Sequence, residues 1–542
     1  MTIKNKTVAR ALRAFKFYAL NIVCLSVITG VAAGVVITLY TIATSYGEQI
    51  SRDYYTLIVE NPAFVPLLFV GLAASAVAIG TLVKFVPMIR GSGIPQIEGA
   101  CRGKYPFNWY ITLCSMFAAS LACVFLGLDA GSEGPSIEMG GCVGEGTGRI
   151  LRRTYMVRRL QIASGASAGF AVAFNAPVTG MIFALEEAFK SFSPAIFVSA
   201  AVSVVSALAV RTGIRSAFGL DISFAMNGFV FSESMSFSEY GYVALASLIV
   251  AVFAVAFYYG VMALKKLFKK LTFLKGTGKF LIPFLLSGAF GLITVYAMGG
   301  GHYFIHSLAT DGSGVIEGVS VFGAGLVASL IIIIVMRYLL MMLYMACGVP
   351  CGAFVPMLAV GAGLGALLSV AFSSAGMDPV HTDYLIIICM SVFFVTFVRA
   401  PITGLFLIFE LTGQFTNLLP ALIGVVIASL VAEVCRLEPG YEQLLHSFIK
   451  DEGFAAKQKN ERFELIIRPR SLADGGRINK LIWPSGGLVV SITGEDGGEI
   501  VPSGGTRLQA GQRIIFECST FDRRETLEYL CTIVGKQDGE II

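Results

Sequence analysis

The sequence predicts an all-α polytopic membrane protein built from two inverted internal repeats, followed by a small soluble α+β domain. Of its 542 residues, 56% are hydrophobic and only 14% are charged, and the mean hydropathy is +0.77. Soluble chains contain roughly 45–50% apolar and about 25% charged residues. The apolar excess is too large for one buried core, so we expect many helices to cross a lipid bilayer.

The order of the apolar runs defines the membrane region, which we place at 17–447. Residues 1–16 are polar and basic, and the apolar run at 17–46 is too long for a signal sequence. Basic residues cluster at the ends of alternate runs, so the positive-inside rule puts both termini in the cytoplasm. The later apolar runs lie near 63–88, 107–129, 193–213, 239–264, 280–298, 318–347, 352–373, 382–398 and 417–435.

A duplicated pattern divides the membrane region into two halves, about 17–213 and 239–447. The pentapeptide Ala-Pro-x-Thr-Gly begins at Ala176 and again at Ala400, 224 residues later. A second pattern, in which a proline is followed by two glycines, begins at Pro135 and recurs 221 residues later. Glycine- and proline-interrupted segments at corresponding positions of two membrane halves indicate a transport site near the bilayer midplane.

The stretch 131–141 carries the strongest functional signal. Glu133 lies between two glycines and just before Pro135, within a membrane region. Proline favours the first turn of a helix, so a helix begins here with unpaired N–H groups and an exposed positive dipole end. Such an end binds anions. Because Glu133 is itself an anion and an intramembrane carboxylate is functional by default, we expect it to gate the movement of small anions in exchange for protons.

The composition changes after residue 450, where the chain becomes charged and rich in turns. We predict a linker at 448–460 and a cytosolic domain at 461–536, a length sufficient for one small fold. Its expected elements are strands at 463–467, 488–492 and 513–518 and a helix at 521–534 that ends before a glycine.

Three motifs resemble the signatures of the CLC family of chloride channels and proton-coupled chloride transporters. The sequences GSGIP at 91–95, GSEGP at 131–135 and GAFVP at 352–356 resemble the family's GSGIP, GxEGP and GxFxP, and Tyr441 stands where the family has a tyrosine. The resemblance spans about 17–447. It implies transport of chloride and protons by a homodimer with one ion path in each subunit, in a membrane that we expect to be a prokaryotic plasma membrane.

The tail resembles the TrkA-type C-terminal regulatory domain, known as RCK-C. The similarity rests on the pattern of strands and glycine-rich turns, with Val-Pro-x-Gly at 501–504 and Ala-Gly-Gln-Arg at 510–513. It implies that the domain takes a small-molecule ligand, such as a nucleotide effector, between two copies. The sequence itself names no ligand.

A chloride site needs many N–H and O–H donors and little fixed charge, because a strongly charged site does not release the ion. The CLC resemblance implies that such donors surround the ion at Ser92, Gly93, Ile94, Gly134, Ala353, Phe354 and Tyr441. Three of these residues have alternative interpretations. Ser92 is also a candidate helix N-cap, Tyr441 a candidate interfacial anchor, and Phe354 a candidate packing residue.

A second acid, Glu187, is the candidate for proton transfer on the cytosolic side. By resemblance, transporters of the family usually carry an acid here and passive channels usually do not. The alternative is a passive chloride channel in which Glu187 is a solvated glutamate paired with Lys190, three residues later. The resemblance also implies that Glu98 pairs with a base and shapes the path near Glu187. The repeat suggests that Glu186, with its repeat mate Glu410, has a structural role such as capping helices.

Departures from the family pattern bear on selectivity and proton chemistry. Ser132 stands where the family often has arginine, which leaves fluoride transport as a minor alternative, and Glu138 replaces a commonly neutral residue. His302 and His306 are interpreted as interfacial residues rather than pH sensors.

Other functional classes have weaker support. No Walker loop, GxGxxG motif, nucleophile elbow or zinc-like spacing is found, so we expect no enzyme activity, cofactor, metal or nucleic acid partner. The 11 cysteines are expected to be free thiols. A cation-uptake protein is suggested only by the tail and conflicts with the helix starts. A scaffold with a ligand sensor leaves Glu133 unexplained.

Overall fold

The computed structural model describes most of the chain. The described residues are 22–190, 192–219, 228–230, 235–270, 276–413, 418–454, 459–481, 483–484, 486–494, 498–521 and 523–537. The basic segment 1–16 and the start of the first predicted helix lie outside them. Within the described residues, 8 helices are long and apolar enough to cross a membrane.

The first half of the membrane region contains long helices and helices broken at proline or glycine. Its helices are α1 (Leu25–Glu60), α2 (Val65–Phe85), α3 (Ile94–Cys101), α4 (Trp109–Phe125), α5 (Glu133–Ile150), α6 (Tyr155–Phe174), α7 (Pro177–Phe183) and α8 (Pro194–Phe218). The first helix extends well past the predicted end at 46. Beyond that point one helical face stays buried, at Gly47, Ser51 and Tyr55, although the sequence becomes more polar. Helix α7 passes directly into a π-helical turn at Ala184–Ala188.

The second half repeats this succession of long and short helices. Its helices are α9 (Tyr240–Lys270), α10 (Leu281–Ile293), α11 (His302–Ser307), α12 (Leu326–Cys347), α13 (Phe354–Ser373), α14 (Thr382–Val398), α15 (Pro401–Thr412), α16 (Leu418–Val434) and α17 (Gly440–Asp451). Matching elements follow one another in the same order in both halves, as the duplicated sequence pattern predicts.

The repeated glycines allow equivalent helix pairs to pack closely in each half. A Cβ atom built on Gly140 of α5 would lie 2.2 Å from a carbonyl oxygen of α6, and one built on Gly144 would lie 1.9 Å from another. In the second half, a Cβ on Gly361 of α13 would lie 2.6 Å from a carbonyl oxygen of α14. Side chains do not fit at these contacts, so the glycine pattern follows from helix packing.

Two glutamates at equivalent positions of the repeat each cap a helix in the other half of the membrane region. The Glu186 carboxylate accepts the N–H groups of residues 402 and 403 at 3.0 and 2.6 Å, at the start of α15. Glu410 accepts the N–H groups of residues 178 and 179 at 2.7 and 2.8 Å, at the start of α7. The predicted capping role of both residues is confirmed, and each carboxylate also lies at the positive end of the helix that it caps.

The tail folds into a four-stranded antiparallel sheet with one packed helix. The strands are β1 (Lys459–Ile466), β2 (Leu488–Thr493), β3 (Glu499–Ile500) and β4 (Arg513–Thr520), in the order β1-β4-β2-β3, and the helix is α18 (Arg523–Val534). Phe463 pairs with Phe516 across β1 and β4, and both rings are buried. The short strand β3 was not predicted. Helix α17 ends and β1 begins inside the predicted linker interval, so the connection is shorter than expected.

Candidate anion and proton site

A backbone bridge between the two halves brings two helix starts together. Gly131 donates its N–H to the Gly352 carbonyl at 3.0 Å, and Gly352 donates to the Gly131 carbonyl at 2.7 Å. The bridge is antiparallel, as expected for inverted repeats. A Cβ atom on Gly352 would lie 2.7 Å from the Gly131 oxygen, so only glycine allows this approach. The bridge places the N-terminus of α5, at Glu133, beside the N-terminus of α13, at Phe354.

The start of α3 is the third helix terminus at this point. Its N-cap residue is Gly93, which has a left-handed φ of +80° that favours glycine. The preceding Ser92 packs against α5, because a Cβ atom on Gly134 would lie 2.4 Å from the Ser92 carbonyl oxygen. The helix starts at Ile94, Glu133 and Phe354 therefore converge, as the motifs predict. Each presents backbone N–H groups with a partial positive charge.

Two hydroxyl groups next to these helix starts have no hydrogen-bond partner among the described residues. Ser92 and Tyr441 are both buried, and neither Ser92 Oγ nor Tyr441 Oη is paired. The alternative in which Ser92 caps α3 does not apply, since the N-cap is Gly93 and no side-chain cap is present. The interfacial interpretation of Tyr441 does not apply either, because its ring packs inside the protein against Phe397 at 6.2 Å.

Phe354 combines a backbone position at a helix start with a packed side chain. Its ring contacts those of Phe170, Phe174 and Phe394 at centroid distances of 5.5, 4.9 and 4.3 Å. The packing interpretation therefore holds for the ring. It does not conflict with the predicted anion-binding role, because that prediction concerns the backbone amide at the start of α13.

A cavity reaches the serine and the start of α13. Ser92 and Ala353 line it, and so do the cationic residues Arg90 and Lys265. Arg90 also forms ion pairs with Asp451 at 3.3 Å and with a neighbouring glutamate. Positive charge along a cleft raises the local concentration of anions.

The predicted gating residue, Glu133, is buried at the first position of α5. Its Oε1 atom accepts a hydrogen bond from Ser132 Oγ at 3.2 Å and lies 3.0 Å from Nε2 of His302. Its Oε2 atom has no hydrogen-bond partner among the described residues. The carboxylate is therefore held on one side only.

The contact with His302 was not predicted. The imidazole of His302 contacts Glu133, a role beyond the interfacial one that was predicted, whereas His306, one turn later on α11, is exposed. The internal repeat contained a sequence signal for His302, because a glycine precedes His302 as a glycine precedes the start of α3. Gly301 precedes α11 with a φ of +106°, as Gly93 precedes α3 with a φ of +80°. His302 is therefore the repeat equivalent of Ile94, the first residue of α3.

A buried ion pair supports the same region and was also missed. Arg337, in the middle of the apolar helix α12, donates from Nη1 to Asp129 at 2.6 Å. It also donates to the carbonyl groups of Tyr296 and Met298 at 2.7 and 2.8 Å. The pair ties the segment before α11 to the loop before Glu133. A lone arginine within an apolar run was the available sequence signal.

The inner acid, Glu187, lies in the π-helical turn and is buried. Its Oε1 atom has no hydrogen-bond partner among the described residues. The alternative in which Glu187 forms a solvated pair with Lys190 does not describe the structure. Lys190 Nζ instead contacts Glu98 and Glu442, each at 2.9 Å.

Glu98 pairs with bases as predicted. It receives Arg102 at 2.5 Å in addition to Lys190, and Arg102 also contacts Glu442 at 2.9 Å. Burial opposes ionisation of Glu442, but hydrogen bonds from Lys190 and Arg102 outweigh it and lower the pKa of this carboxyl to about 2. This four-residue ion network, formed by Glu98, Arg102, Lys190 and Glu442, connects α3, the segment after the π-helical turn and α17.

Glu138 is a buried carboxylate within α5 that has no hydrogen-bond partner among the described residues. Neither of its carboxylate oxygens has a partner among the described residues, and the side chain is fully buried. A Cβ atom on Gly93 would lie 2.4 Å from Glu138 Oε2. The departure from the family pattern at this position therefore lies directly beside the start of α3.

The soluble domain contacts the membrane region at α6. Arg158 forms an ion pair with Glu525 of α18, and the rings of Tyr155 and Tyr529 meet edge to face at 6.0 Å. Arg158 also lies 3.5 Å from Glu145, which is on α5, the helix that begins with Glu133.

Comparison with solved structures identifies the fold. A slow cyanobacterial Cl-/H+ antiporter superposes with a TM-score of 0.69 at 24% identity, covering 80% of this chain and 99% of that one. A CLC-type fluoride/proton antiporter superposes with a TM-score of 0.62 at 18% identity, covering 79% and 98%. At these identities the likeness shows the shared fold.

Sequence comparison identifies the family. The H(+)/Cl(-) exchange transporter ClcA of Vibrio cholerae is 31% identical over 444 residues, which cover 80% of this chain and 90% of the relative. ClcA of Vibrio vulnificus is 30% identical over 454 residues, with coverage of 80% and 91%. Residues 74–433 match the family described as "Voltage gated chloride channel", a match that ends before Tyr441. The chain belongs to this voltage-gated chloride channel family, the CLC family.

Proposed function

We propose that the protein is a proton-coupled chloride antiporter in which Glu133 gates the anion path. The curated relatives named above are H(+)/Cl(-) exchange transporters, and this chain covers about nine-tenths of their length. The observation that carries the proposal is the environment of Glu187. Its carboxylate is buried, and Lys190 forms ion pairs with Glu98 and Glu442 instead. In the passive-channel alternative, Glu187 is a solvated surface glutamate, so that alternative does not account for its burial.

In this mechanism, neutral donors bind the chloride ion. The hydroxyls of Ser92 and Tyr441 and the amides at Ala353 and Phe354 surround it, with Gly93, Ile94 and Gly134 at the other two helix starts. The unpaired state of the two hydroxyls supports this assignment. Helix ends and hydroxyls carry partial charges, so they bind an anion without the strength of a buried cation, which allows release.

Glu133 gates the path by competing with chloride for the N-terminus of α5. As a carboxylate, it is attracted to the helix end and excludes the anion. Once protonated it loses that attraction and leaves, and chloride takes its position. Proton movement and chloride movement therefore alternate at one site.

Glu187 transfers protons between this site and the cytosol. Its burial close to the ion network supports a carboxylate that exchanges a proton rather than one that holds a fixed counter-ion. The network of Glu98, Arg102, Lys190 and Glu442 keeps the neighbouring charges paired. It therefore positions the helices around Glu187 and does not carry protons itself.

The C-terminal domain acts as a TrkA-C-like regulatory domain in this proposal. The contacts of Arg158 with both Glu525 and Glu145 support it, because they connect α18 to the helix that carries Glu133. A small-molecule ligand, with nucleotides as the first class to test, alters this contact. The protein acts as a homodimer with one path per subunit, and both termini lie in the cytoplasm of a prokaryotic cell.

The test uses the full chain in liposomes that hold a chloride gradient, with the voltage clamped by a potassium ionophore and the external pH recorded. We expect protons to move uphill against chloride. Glu187→Gln should abolish proton movement and keep chloride movement, whereas Glu60→Gln, at an exposed glutamate of α1, should change neither. Chloride movement without proton movement in the unmodified protein would establish a passive channel. Fluoride movement in place of chloride would establish the fluoride alternative that the departure at Ser132 raised.

A further inference from the structure

His302 is the titratable group that touches the gating carboxylate. Its Nε2 atom lies 3.0 Å from Glu133 Oε1, and its side chain is 20% exposed while that of Glu133 is 1% exposed. The imidazole therefore lies between a buried acid and accessible surface. Histidine changes its charge between about pH 5 and pH 8, so this position suits a group that passes protons inward.

The acidic residue on α1 that faces His302 has its own partner. Glu48 accepts the N–H of Gly300 at 3.1 Å and forms an ion pair with Arg52 at 4.0 Å. The guanidinium of Arg52 also lies over the ring of Tyr303, at 5.0 Å from its centroid. Glu48 is thus partly neutralised and held beside the segment that leads into α11.

The base on α12 that faces the same region is neutralised as well. A Cβ atom on Gly301 would lie 3.2 Å from Arg337 Nη1, and that guanidinium is paired with Asp129. Helix α13, which packs against α11, contains no charged residue. Glu48 and Arg337 thus each have a partner of opposite charge, and Glu133 is the acid within hydrogen-bond distance of His302.

We propose that His302 relays protons from the outer solution to Glu133, an inference that rests on the proposed antiport function. The imidazolium transfers its Nε2 proton to Glu133 Oε1, so one N–H bond breaks and one O–H bond forms. The products are a neutral imidazole that keeps its Nδ1 proton and a neutral carboxyl group. The neutral carboxyl leaves the N-terminus of α5, which frees Nε2 to take a proton from the outer solution.

The test measures chloride and proton flux in liposomes at fixed internal pH while the external pH is varied from 5 to 8. A positioned proton donor contributes about a hundredfold or more in many reactions, so we expect His302→Gln to slow exchange by about tenfold or more at neutral external pH. The deficit should shrink towards pH 5, where bulk protons reach Glu133 directly. The proton-to-chloride ratio should be unchanged. His306→Gln, on the same short helix, is the matched control and should keep the wild-type profile.

The outcomes separate the relay from the antiport function. Uphill proton movement by the wild type, together with an unaltered external-pH profile in His302→Gln, would overturn the relay and leave the antiport function intact. Absence of uphill proton movement in the wild type would overturn both. If His302→Gln does not fold, His302→Ala replaces it. External imidazole, but not a non-titrating buffer, should then restore the rate, and no restoration would overturn the relay.

Discussion

Removal of the Tyr441 hydroxyl should weaken chloride binding without loss of protein stability. Tyr441 Oη is buried and has no partner among the described residues, so Tyr441→Phe breaks no hydrogen bond within the protein. A hydrogen bond to a charged group contributes about 1.5–3 kcal/mol. If the hydroxyl binds chloride, the dissociation constant should rise by roughly tenfold to a hundredfold. Without chloride, the free energy of unfolding should stay level or rise, because a buried unpaired hydroxyl has been removed.

Two measurements on purified protein check this prediction. Isothermal titration gives the chloride dissociation constant, and thermal unfolding with and without chloride gives the stabilisation by the ion, which follows mass action. Tyr40→Phe is the matched control. Tyr40 is equally buried, but its hydroxyl donates to Ser120 at 2.9 Å. That variant should lose about 1 kcal/mol of stability and bind chloride normally. The reasoning fails if Tyr441→Phe behaves like Tyr40→Phe.

Two further predictions concern carboxylates with structural roles: the helix caps Glu186 and Glu410, and Glu442 of the ion network. Glu410→Gln and Glu186→Gln should each cost about 0.5–2 kcal/mol of stability, because each removes a charged cap; unequal losses in thermal unfolding would contradict the symmetric arrangement. Burial raises the pKa of Glu442, but its hydrogen bonds from Lys190 and Arg102 outweigh burial and lower the pKa from 4.5 to about 2. The stabilising contribution of Glu442 is therefore complete above pH 4.5 and is lost as the pH falls towards 2. The difference in unfolding free energy between wild type and Glu442→Gln should therefore shrink over that interval, and a difference that stays constant down to pH 2 would refute the assignment.

Features that depend on short-range rules were predictable from the sequence. Proline and glycine positions predicted the helix starts at Glu133 and Phe354, because proline suits the first helical turn and glycine allows close backbone contacts. The similar offsets of the duplicated motifs, 224 and 221 residues, predicted that Glu186 and Glu410 have equivalent roles. The same rules located the strands and the final helix of the C-terminal domain, apart from the two-residue strand at Glu499–Ile500.

Contacts between distant segments were not predictable in the same way. His302 and Glu133 are 169 residues apart, and Arg337 and Asp129 are 208 residues apart. No local pattern joins such residues, because their meeting depends on how the two halves pack. Lys190 illustrates the point: its sequence neighbour Glu187 was the partner in the alternative interpretation, but packing places Glu98 and Glu442 each at 2.9 Å from Lys190.

In the proposed mechanism, the placement of paired and unpaired groups allows one site both to hold and to release an anion. Three of the cations near the proposed path have acidic partners: Arg337 binds Asp129, Lys190 binds Glu98, and Arg90 binds Asp451. The buried groups without a hydrogen-bond partner among the described residues include the Ser92 and Tyr441 hydroxyls, one oxygen each of Glu133 and Glu187, and both carboxylate oxygens of Glu138. A free buried cation would trap chloride, whereas a paired one contributes only structure. In the proposed mechanism, therefore, a proton changes the charge of the site at the buried carboxyl groups Glu133 and Glu187, while the paired cations keep their charge balanced.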